Sequence, residues 1–443
     1  MTAGAAYADT IAYLQALEVS KGWDLKLERV HAALALRGNP HRRFRSLHVA
    51  GTNGKGSTAA LLESVLRAAG HRTGLYTSPH LVDFAERIRA GGGTMPHEAI
   101  VAGVAALRSA LAAARVELTH FEFATVLAFE WFAAVGVEVA VVEVGLGGRL
   151  DATNVIVPIG TAITSIGRDH EDFLGTDLAG IAREKAGIAK PGVPLVVGGL
   201  AADVERTIRA HAAAVGAPVV SAVSDAKLDE TPDGLAFRGP DGVVWSGLQI
   251  GLPGAFQRDN ARTALTLLAV LRDVLPVDEA SVRTGLRTVR WPGRLAVLED
   301  EPLVVADGAH NPDGMVALVR ELAGTLRGRA TTLVFAVMAD KRWVAMLETI
   351  VPHVRRVIAT RVGRRGLAPA EIAAAVGDRA AVEVVADPRE AVRHARRSTP
   401  AGDAVLVAGS LFLVGEAYAV LGGDAALVPV WQGWERIGTQ ARS

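Results

Sequence analysis

The chain has 443 residues, of which 50% are hydrophobic and 21% charged, so it can form two or three domains with sizeable cores. Lysine plus arginine and aspartate plus glutamate each number 47, and this zero net charge argues against a nucleic-acid-binding protein, which normally carries a basic excess. The absence of cysteine excludes disulfides, thiolate zinc sites and cysteine nucleophiles, and it fits a cytoplasmic location.

The sequence contains no segment typical of secretion or membrane insertion. The first basic residue is Lys21, so the N-terminus lacks the charged start of a signal peptide. The longest apolar stretch, near 123–148, is interrupted by Glu130, Glu138 and Glu143. We therefore expect a cytoplasmic protein without a membrane partner.

Strand-like apolar runs alternate with helical patterns along most of the chain. A helix is predicted over 58–70, where apolar residues recur at helical spacing and a glycine follows. Residues 224–252 carry turn signals between short alternating runs, so we expect a small antiparallel section there and a helix over about 257–274. Buried strands are predicted at SLHVAG (46–51), HRTGLYTS (71–78), VEVAVVEVG (137–145), GTAITSIG (160–167) and VPLVVGG (193–199). This alternation predicts an α/β fold with a mainly parallel sheet between two layers of helices.

A domain junction is predicted over 289–312. The Trp-Pro-Gly sequence at 291–293 suits neither a helix nor a strand interior, and a new strand begins near Leu303. Strand–helix alternation then restarts and continues almost to the end of the chain. We therefore predict a first domain over 1–295 and a second α/β domain over 296–443.

A glycine-rich loop, HVAGTNGKGST (48–58), connects the first predicted strand of the sheet to the helix that follows it. Glycines let the backbone approach an anion and turn its N–H groups toward it, and the helix N-terminus adds partial positive charge. Lys55 supplies a full charge, and Ser57 or Thr58 has a hydroxyl suited to Mg²⁺. The predicted phosphate-binding residues are Gly51, Thr52, Asn53, Gly54, Lys55, Gly56, Ser57 and Thr58.

This loop leaves several functions open. An ordinary tight turn with an exposed lysine is the alternative to a phosphate site, and a phosphate site alone fits an ATPase, a GTPase switch or a ligase. A GTPase would need a guanine-reading N-K-x-D motif after a later strand, and the sequence contains none. The loop by itself therefore does not choose between an ATPase and a ligase.

Charged residues follow two later strands of the same predicted sheet. Glu143 ends a strand at the edge where parallel sheets bind ligands, so it is a candidate Mg²⁺ ligand, with a solvated strand-end carboxylate as the alternative. Asp169 and His170 follow the next strand, although a histidine would be an unusual ligand for a hard cation. From spacing alone, Lys185 is best interpreted as a surface lysine.

The sequence DGAHNP (307–312) closes the first predicted strand of the second domain. Asp307 and His310 would face outward from the end of that strand. Asn311 before Pro312 is typical of a helix N-cap, and such a structural role is compatible with a functional one.

Taken together, the motifs resemble the Mur ligase superfamily and, more closely, the folylpolyglutamate synthase and dihydrofolate synthase family. They occur in order along nearly the whole chain: GTNGKGST (51–58), TSPHL (77–81), FEFATVLAF (121–129), EVGLGGRLDATN (143–154), DH (169–170), LGTDLAGIAREKAGIAKPG (174–192), PGR (292–294), DGAHNP (307–312) and DKR (340–342). The resemblance implies a P-loop-type Mur ligase ATPase domain followed by a Rossmann-like domain, with ATP between them.

The resemblance also implies an activity. ATP phosphorylates a carboxylate of dihydropteroate or of a folate that already carries glutamate, and the amine of L-glutamate then displaces phosphate from the acyl phosphate. The implied cofactors are ATP and two Mg²⁺ ions, with K⁺ as a further candidate ion. The implied partners are these small molecules alone, without nucleic acid or membrane, and we expect a monomer.

Residue roles follow from the matching motifs. Lys55 would hold the β- and γ-phosphates, and carbamylation of Lys185 would turn a cation into an oxygen anion suited to Mg²⁺. The implied metal ligands are Ser57, Ser78 and Glu143 for one ion, and Glu143, His170 and carbamylated Lys185 for the other. Asn260 would meet adenine, Arg294 and Asp307 would contact ATP, and His310 and Lys341 would lie near the transferred phosphate.

The pterin site is implied by weaker matches. Phe123, Arg149, Asp151 and Asn154 match regions that line the pterin pocket of bifunctional members, although Phe123 is equally typical of a core aromatic. The alternatives are a folylpolyglutamate synthase without dihydrofolate synthase activity, a peptidoglycan Mur ligase and a nucleotide-gated binding module without catalysis. A peptidoglycan ligase is disfavoured because we find no UDP-binding domain before the phosphate loop.

The sequence departs from the family pattern at two positions. Arg168 stands beside Asp169, where an uncharged residue is commoner, and Arg342 in DKR replaces the commoner aspartate. Neither change touches the residues that the resemblance assigns to phosphate chemistry.

Overall fold

The computed structural model describes residues 3–21, 26–422 and 429–434. The helices are α1 (Ala3–Lys21), α2 (Leu27–Leu36), α3 (Lys55–Ala68), α4 (His97–Ala114), α5 (His120–Val135), α6 (Glu171–Leu174), α7 (Leu178–Ala186), α8 (Ala202–Val215), α9 (Gln257–Val270), α10 (Glu279–Thr288), α11 (Pro312–Leu326), α12 (Trp343–Ile350), α13 (Pro369–Val376), α14 (Pro388–Ser398) and α15 (Leu411–Leu421). The strands are β1 (Arg45–Ala50), β2 (Thr73–Tyr76), β3 (Ile88–Ala90), β4 (Gly93–Thr94), β5 (Val139–Glu143), β6 (Gly160–Ile163), β7 (Leu195–Val197), β8 (Val219–Ser221), β9 (Lys227–Thr231), β10 (Gly234–Arg238), β11 (Val244–Leu248), β12 (Ala296–Asp300), β13 (Leu303–Ala306), β14 (Thr331–Phe335), β15 (Arg356–Ala359), β16 (Ala381–Val384) and β17 (Ala404–Ala408).

The first sheet has the strand order β4-β3-β2-β5-β1-β6-β7-β8. The six strands from β2 to β8 in this order pair in parallel, which confirms the predicted mainly parallel sheet. The antiparallel edge formed by β3 and β4 was not predicted from the sequence. Because β2, β5, β1 and β6 run in the same direction, the loops that follow them meet at one edge of the sheet.

Helices cover both faces of this sheet, as the alternation predicted. On one face, α3 packs with α9 and α10 through buried side chains such as Leu61, Leu265 and Leu286. On the other face, α5 packs with α1 and α4 around Phe129 and Phe132. Strands covered on both faces read as continuous apolar runs, and this is why they could be located from the sequence.

A small antiparallel sheet of order β11-β10-β9 follows β8 and confirms the section predicted over 224–252. Its buried face carries Phe237 and Trp245, whose rings stack with centroids 5.4 Å apart. The small sheet packs against α9 and α10, so it extends the core on the α3 side of the first domain.

The second sheet has the order β12-β13-β17-β14-β15-β16 and is parallel except for β12. Its parallel strands match the predicted restart of the α/β pattern near Leu303. Strand β12 was missed because its side chains are only half-buried and follow directly after the Trp-Pro-Gly break. Its pairing with β13 places Ala296 with the second sheet, and the division between residues 295 and 296 stays a prediction.

The end of the described chain returns to the first domain. Val430 forms a parallel bridge with Thr94 of β4, where the Thr94 amide donates to the Pro429 carbonyl at 2.8 Å and the Trp431 amide donates to the Thr94 carbonyl at 2.9 Å. Trp431 packs edge-on against Trp131 with a centroid distance of 5.6 Å. Residues 429–434, which the sequence placed with the second domain, thus pair with the first.

One described helix, α4, is long and apolar enough to cross a membrane by length and composition alone. This helix was not predicted to be a membrane span, since the longest apolar stretch in the sequence lies near 123–148. Ile100, Val104, Leu107 and Leu111 of this helix are buried in the core that α4 shares with α1 and α5.

Candidate active site

The glycine-rich loop follows β1 at the carboxyl edge of the first sheet, where its backbone is shaped by glycine. Gly51 and Gly54 have φ values of 146° and 83°, which side chains other than glycine rarely adopt. A Cβ on Gly51 would overlap the Thr164 hydroxyl, and one on Gly54 would overlap the Asn260 side chain. The loop therefore takes this path only with glycine at both positions.

Hydrogen bonds from the loop after β6 hold the glycine-rich loop in place. The Thr52 hydroxyl donates to the Gly167 carbonyl and accepts from the Gly167 amide, both at 3.0 Å. The Asn53 amide donates to the Ser165 hydroxyl at 2.9 Å. Lys55, the first residue of α3, donates from Nζ to the Thr52 carbonyl at 3.0 Å. The amides and the lysine charge are thus fixed before any ligand arrives.

A buried carboxylate lies beside this loop. Glu143 is the last residue of β5, is 5% exposed and accepts a hydrogen bond from the Ser78 amide at 3.2 Å. Burial raises its pKa, while Lys55, the Ser78 amide and Arg294 oppose that rise. The alternative of a solvated strand-end carboxylate is therefore wrong for Glu143, and binding of Mg²⁺ stays a prediction. Ser57, also buried, lies in the first turn of α3.

Lys185 of α7 is buried rather than on the surface, so the interpretation from spacing alone was wrong. It is 5% exposed, and its Nζ donates to the Gly51 carbonyl at 2.9 Å. Burial, with a contribution from the charge of Lys55, lowers its pKa to about 7. Close to neutral pH, a large fraction of this amine therefore lacks its proton.

Asp169 joins the two domains. Its carboxylate pairs with Lys341, accepts from Asn311 Nδ2 at 3.1 Å and lies 3.5 Å from His310 Nε2, and these three partners all belong to the second domain. Burial alone would raise the pKa of Asp169, but His310, Lys341 and His170 hold it well below its usual range. Asp169 is therefore an anion surrounded by positively charged or donor groups.

A pair of asparagines makes a second bridge between the domains. Asn53 Nδ2 donates to Asn311 Oδ1 at 3.1 Å, and Asn311 Nδ2 donates to Asn53 Oδ1 at 2.9 Å. Asn311 Oδ1 also accepts from the Gly314 amide at 2.8 Å, so the predicted helix N-cap is confirmed. The pairing was not predicted, because the two residues are 258 positions apart in the sequence.

His170 and His310 both lie at this bridge. His170 caps α6 with a φ of 53°, and its Nε2 lies 3.4 Å from Lys341 Nζ. Burial and the charge of Lys341 lower the pKa of His170 to about 4, so its imidazole is neutral at physiological pH. His310 donates from Nδ1 to the Gly308 carbonyl at 2.7 Å, which turns Nε2 toward Asp169.

The junction between the domains is tied to the loop after β13. Asp307 accepts from the Leu295 amide at 2.9 Å and from the Ala309 amide at 2.8 Å. Arg294 donates to the Gly293 carbonyl at 2.9 Å and lies so close to Gly308 that a Cβ there would overlap its guanidinium. The structure thus brings both residues to the cleft between the domains, where ATP contact remains their predicted role.

Comparisons with known proteins agree with this arrangement. The family model for the Mur ligase middle domain matches residues 49–268, and that for the Mur ligase, glutamate ligase domain, matches residues 293–411. The folylpolyglutamate synthase of Lacticaseibacillus casei is 37% identical over 78% of this chain and 82% of its own. The dihydrofolate synthase/folylpolyglutamate synthase of Escherichia coli is 34% identical over 94% of this chain and 95% of its own.

Solved structures of related enzymes agree with these sequence matches. The structure of E. coli FolC in complex with DHPP and ADP matches 94% of this chain and 98% of its own, with a TM-score of 0.85 and 33% identity. The structure of Mycobacterium tuberculosis folylpolyglutamate synthase complexed with ADP matches 95% of this chain with a TM-score of 0.87 and 33% identity. This chain belongs to the folylpolyglutamate synthase/dihydrofolate synthase family.

The residues that the family resemblance assigned to pterin have structural contacts of their own. Arg149 forms an ion pair with Glu184 at 2.8 Å. Asp151 is fully buried and accepts from the Leu146 amide at 2.8 Å. Asn154 donates from Nδ2 to the Arg149 carbonyl at 2.9 Å, while its buried Oδ1 has no hydrogen-bond partner among the residues that the structure describes. Their contact with pterin stays a prediction.

Two further family assignments are placed but not tested. Phe123 is 1% exposed and packs edge-on against Tyr13 at 5.9 Å, as expected of a core aromatic. Asn260 of α9 donates to Gln257 Oε1 at 2.8 Å and lies against Gly54. The roles of Phe123 toward pterin and of Asn260 toward adenine stay predictions.

Proposed function

We propose that this protein uses ATP to ligate L-glutamate to dihydropteroate and to folates that already carry glutamate. The observation that carries the proposal is the bridge between the domains, where Lys341 and His310 meet Asp169 in the loop after β6 and Asn311 meets the loop after β1. A glycine loop with a lysine binds phosphate, and a cleft between two domains brings a second substrate to it. Family members named for both activities match at least nine-tenths of the chain.

The reaction has two steps in this proposal. An oxygen of the acceptor carboxylate attacks the γ-phosphorus of ATP, the bond to the β-phosphate oxygen breaks, and ADP leaves. The amine of glutamate then attacks the acyl carbon, loses a proton and expels inorganic phosphate. Lys55 and Arg294 offset charge on the transferred group, because phosphoryl transfer depends on positioning and cations rather than on a protein nucleophile.

The predicted metal ligands offer donor atoms of the kind that bind a divalent cation. Within the described part of the chain, no three His, Cys, Asp or Glu side chains come together as a metal cluster. The set instead combines the Glu143 carboxylate with the hydroxyls of Ser57 and Ser78, which are the hard oxygen donors that Mg²⁺ prefers. A bound Mg²⁺ would supply positive charge to the γ-phosphate oxygens. His170 and carbamylated Lys185 complete the proposed set.

Phosphate release with three acceptors tests the proposal. We expect ATP- and glutamate-dependent phosphate release with dihydropteroate and with tetrahydrofolate, and none with a UDP-muramyl peptide. Activity with tetrahydrofolate alone would indicate a folylpolyglutamate synthase without dihydrofolate synthase activity. Binding of ATP without release in any reaction would identify a nucleotide-gated binding module instead.

We also propose that the protein acts as a monomer in the cytoplasm. Contacts within one chain, Asp169 with Lys341 and Asn53 with Asn311, join the two domains at the candidate site and support this proposal. Sedimentation velocity should give a single species close to the chain mass of 46.3 kDa. A dimer at micromolar concentration would contradict this part of the proposal.

Lys185 is predicted to be carbamylated. Its neutral amine can attack CO₂ and lose one proton, and the lowered pKa, about 7, makes that form abundant once the pH exceeds 7. Incubation with ¹³C-bicarbonate at pH 8 should give a carbamate signal by ¹³C NMR that is absent in Lys185→Ala. We expect this variant to lose activity by roughly 100-fold or more, by analogy with residues that orient metal ligands.

The controls separate a carbamate from a simple packing role. A short carboxylic acid added to Lys185→Ala should restore part of the activity if an oxygen anion is what the site needs. An unmodified lysine in fully active protein would show that carbamylation is not required. Acidification toward pH 6 should favour the protonated amine and lower the carbamate signal.

Arg294 is predicted to couple ATP use to amide formation. It lies at the junction between the domains, and its charge acts on both Glu143 and Asp307. Without it the cleft should close poorly, and water would then reach the acyl phosphate. In Arg294→Ala we expect a higher ratio of ATP hydrolysed to amide formed, or loss of both. Normal coupling in the variant would contradict the assignment.

Domain closure is predicted to accompany substrate binding. The hinge should lie over 290–298, where the Trp-Pro-Gly sequence interrupts regular structure and Leu295 adopts a positive φ of 45°. Saturating ATP with the pterin substrate should reduce the radius of gyration measured by small-angle X-ray scattering. An unchanged scattering profile under saturating ligands, together with normal coupling in Arg294→Ala, would contradict the closure of the two domains.

A further inference from the structure

A buried arginine lies in the wall of the cleft between the domains. Arg89 of β3 is 7% exposed and lines this cleft together with Ser78, Glu143, Trp291 and Arg294. Burial lowers the pKa of Arg89, which means that the cation pays a desolvation penalty in this position. Neither the glycine loop nor the proposed metal set includes Arg89.

The guanidinium is held by groups that leave its outer nitrogens available. Its Nε donates to the Glu86 carbonyl at 3.0 Å, and its Cζ lies 5.2 Å from the centre of the Trp291 ring. The Glu86 carboxylate accepts hydrogen bonds from the amides of Leu81, Val82 and Asp83, and its charge and that of Glu63 partly offset the effect of burial on the pKa of Arg89. Nη1 and Nη2 of Arg89 make no hydrogen bond to any residue that the structure describes.

The indole ring of Trp291 separates Arg89 from the first turn of α3. The indole ring packs so closely on Gly56, in the first turn of α3, that a Cβ there would overlap it. The ring therefore lies between the phosphate-binding helix and the guanidinium. Arg89 lines the same cavity as Ser78 and Glu143, where the acceptor carboxylate of the proposed reaction would meet the γ-phosphate.

We propose that Arg89 binds the acceptor carboxylate during ligation, through the oxygen that does not attack phosphorus. This inference rests on the proposed function. When that carboxylate becomes an acyl phosphate, the same oxygen is its carbonyl oxygen. When the glutamate amine attacks, a new C–N bond forms and this oxygen takes the negative charge. Loss of phosphate breaks the C–O bond and returns the charge to the leaving group.

Two fixed N–H donors at such an oxygen act as an oxyanion hole. A planar guanidinium suits this role, since it presents parallel donors to a carboxylate and keeps its charge at any physiological pH. The cation–π contact with Trp291 holds the guanidinium in the cleft wall before the substrate arrives. Arg89 thus holds the acceptor at one oxygen while Lys55 and Arg294 act on the phosphate.

Binding and kinetics of Arg89→Gln and Arg89→Lys test the proposal. We expect kcat to fall by roughly 10²–10³ in Arg89→Gln, by analogy with the loss of an oxyanion donor. Binding of dihydropteroate should weaken, whereas binding of ADP and of a pterin analogue without the carboxylate should stay within about twofold of the parent protein. Arg89→Lys should be intermediate in rate, and guanidinium ion should partly restore Arg89→Ala.

Arg238→Gln is the matched control. Arg238 is the last residue of β10, is exposed and does not line the cleft, so this substitution should leave kcat unchanged. Equal weakening of the carboxylate ligand and its carboxylate-free analogue, without guanidinium rescue, would show that Arg89 only packs against Trp291. Weakened ADP binding with normal acceptor binding would assign the guanidinium to the nucleotide.

Comparing the binding of dihydropteroate with that of the carboxylate-free pterin analogue tests Arg89 even if the parent protein shows no ligase activity. A parent protein without ligase activity on any acceptor would overturn the proposed function. The difference between the carboxylate ligand and its carboxylate-free analogue would still report whether Arg89 recognises a carboxylate. Thermal melting of both Arg89 variants shows whether the fold persists, and Arg89→Lys keeps charge and volume if Arg89→Gln does not fold.

Discussion

Replacing Lys55 by alanine is expected to lower kcat for ATP-dependent ligation by roughly 10²–10³, the range seen when one preorganised charge contact is lost. Lys55 begins α3, where the helix N-terminus and the glycine-loop amides already favour an anion. Its Nζ is held by the Thr52 carbonyl at 3.0 Å, so the charge is in place before ATP binds. Phosphate release under saturating substrates measures the effect.

The control for this prediction is a lysine outside the site. Lys227 is exposed on β9, so Lys227→Ala should keep normal activity and stability. Lys55→Ala should also keep the melting temperature of the parent protein, because Lys55 contributes no packing to the core of α3. A normal kcat in a folded Lys55→Ala protein would contradict the assignment of the glycine-rich loop as the phosphate-binding site.

Asp169→Asn is expected to disrupt the bridge between the domains and to lower kcat by roughly 10²–10³. Asp169 and Lys341 each have side chains that are 8% exposed, so removing the carboxylate charge leaves a buried ammonium without its partner. Breaking such a buried pair typically costs about 3–5 kcal/mol. The domains can avoid that cost by separating, which would abolish the joint site rather than unfold either domain.

A double-mutant cycle distinguishes this explanation from simple misfolding. Lys341→Met alone should be as damaging as Asp169→Asn, and the double variant should lose less than the sum of the two effects. Scattering of Asp169→Asn with saturating ligands should resemble that of the ligand-free protein. A compact, fully active Asp169→Asn variant would show that the bridge is not needed for catalysis.

The sequence could predict those parts of the molecule whose structure is determined by residues close together in the chain. Strand β1, the glycine loop and the start of α3 form one continuous pattern, in which the spacing of glycines and the lysine has a direct structural meaning. Glu143 was placed correctly because it ends an apolar run at the edge where parallel sheets bind ligands. The second sheet was located for the same reason, through its buried runs.

The parts that sequence could not predict depend on distant pairs. Asn53 meets Asn311 across 258 positions and Asp169 meets Lys341 across 172, and no local pattern encodes either contact. Lys185 looked like a surface lysine because its burial comes from the loops of other strands. The short edge strands β3 and β4 are similarly set by their neighbours, since two or three residues show no period of their own.

The chain crosses between its two domains at two places, first at the junction near Leu295 and again after α15, where Pro429 and Val430 reach β4. Six residues, 423–428, separate Gly422 from Pro429, and a fully extended link of this length spans at most about 25 Å. The second domain is therefore joined to the first at both crossings, so the separation of the two domains has an upper limit. The fluorescence of Trp431 therefore reports on the first domain, although this residue follows the second domain along the chain.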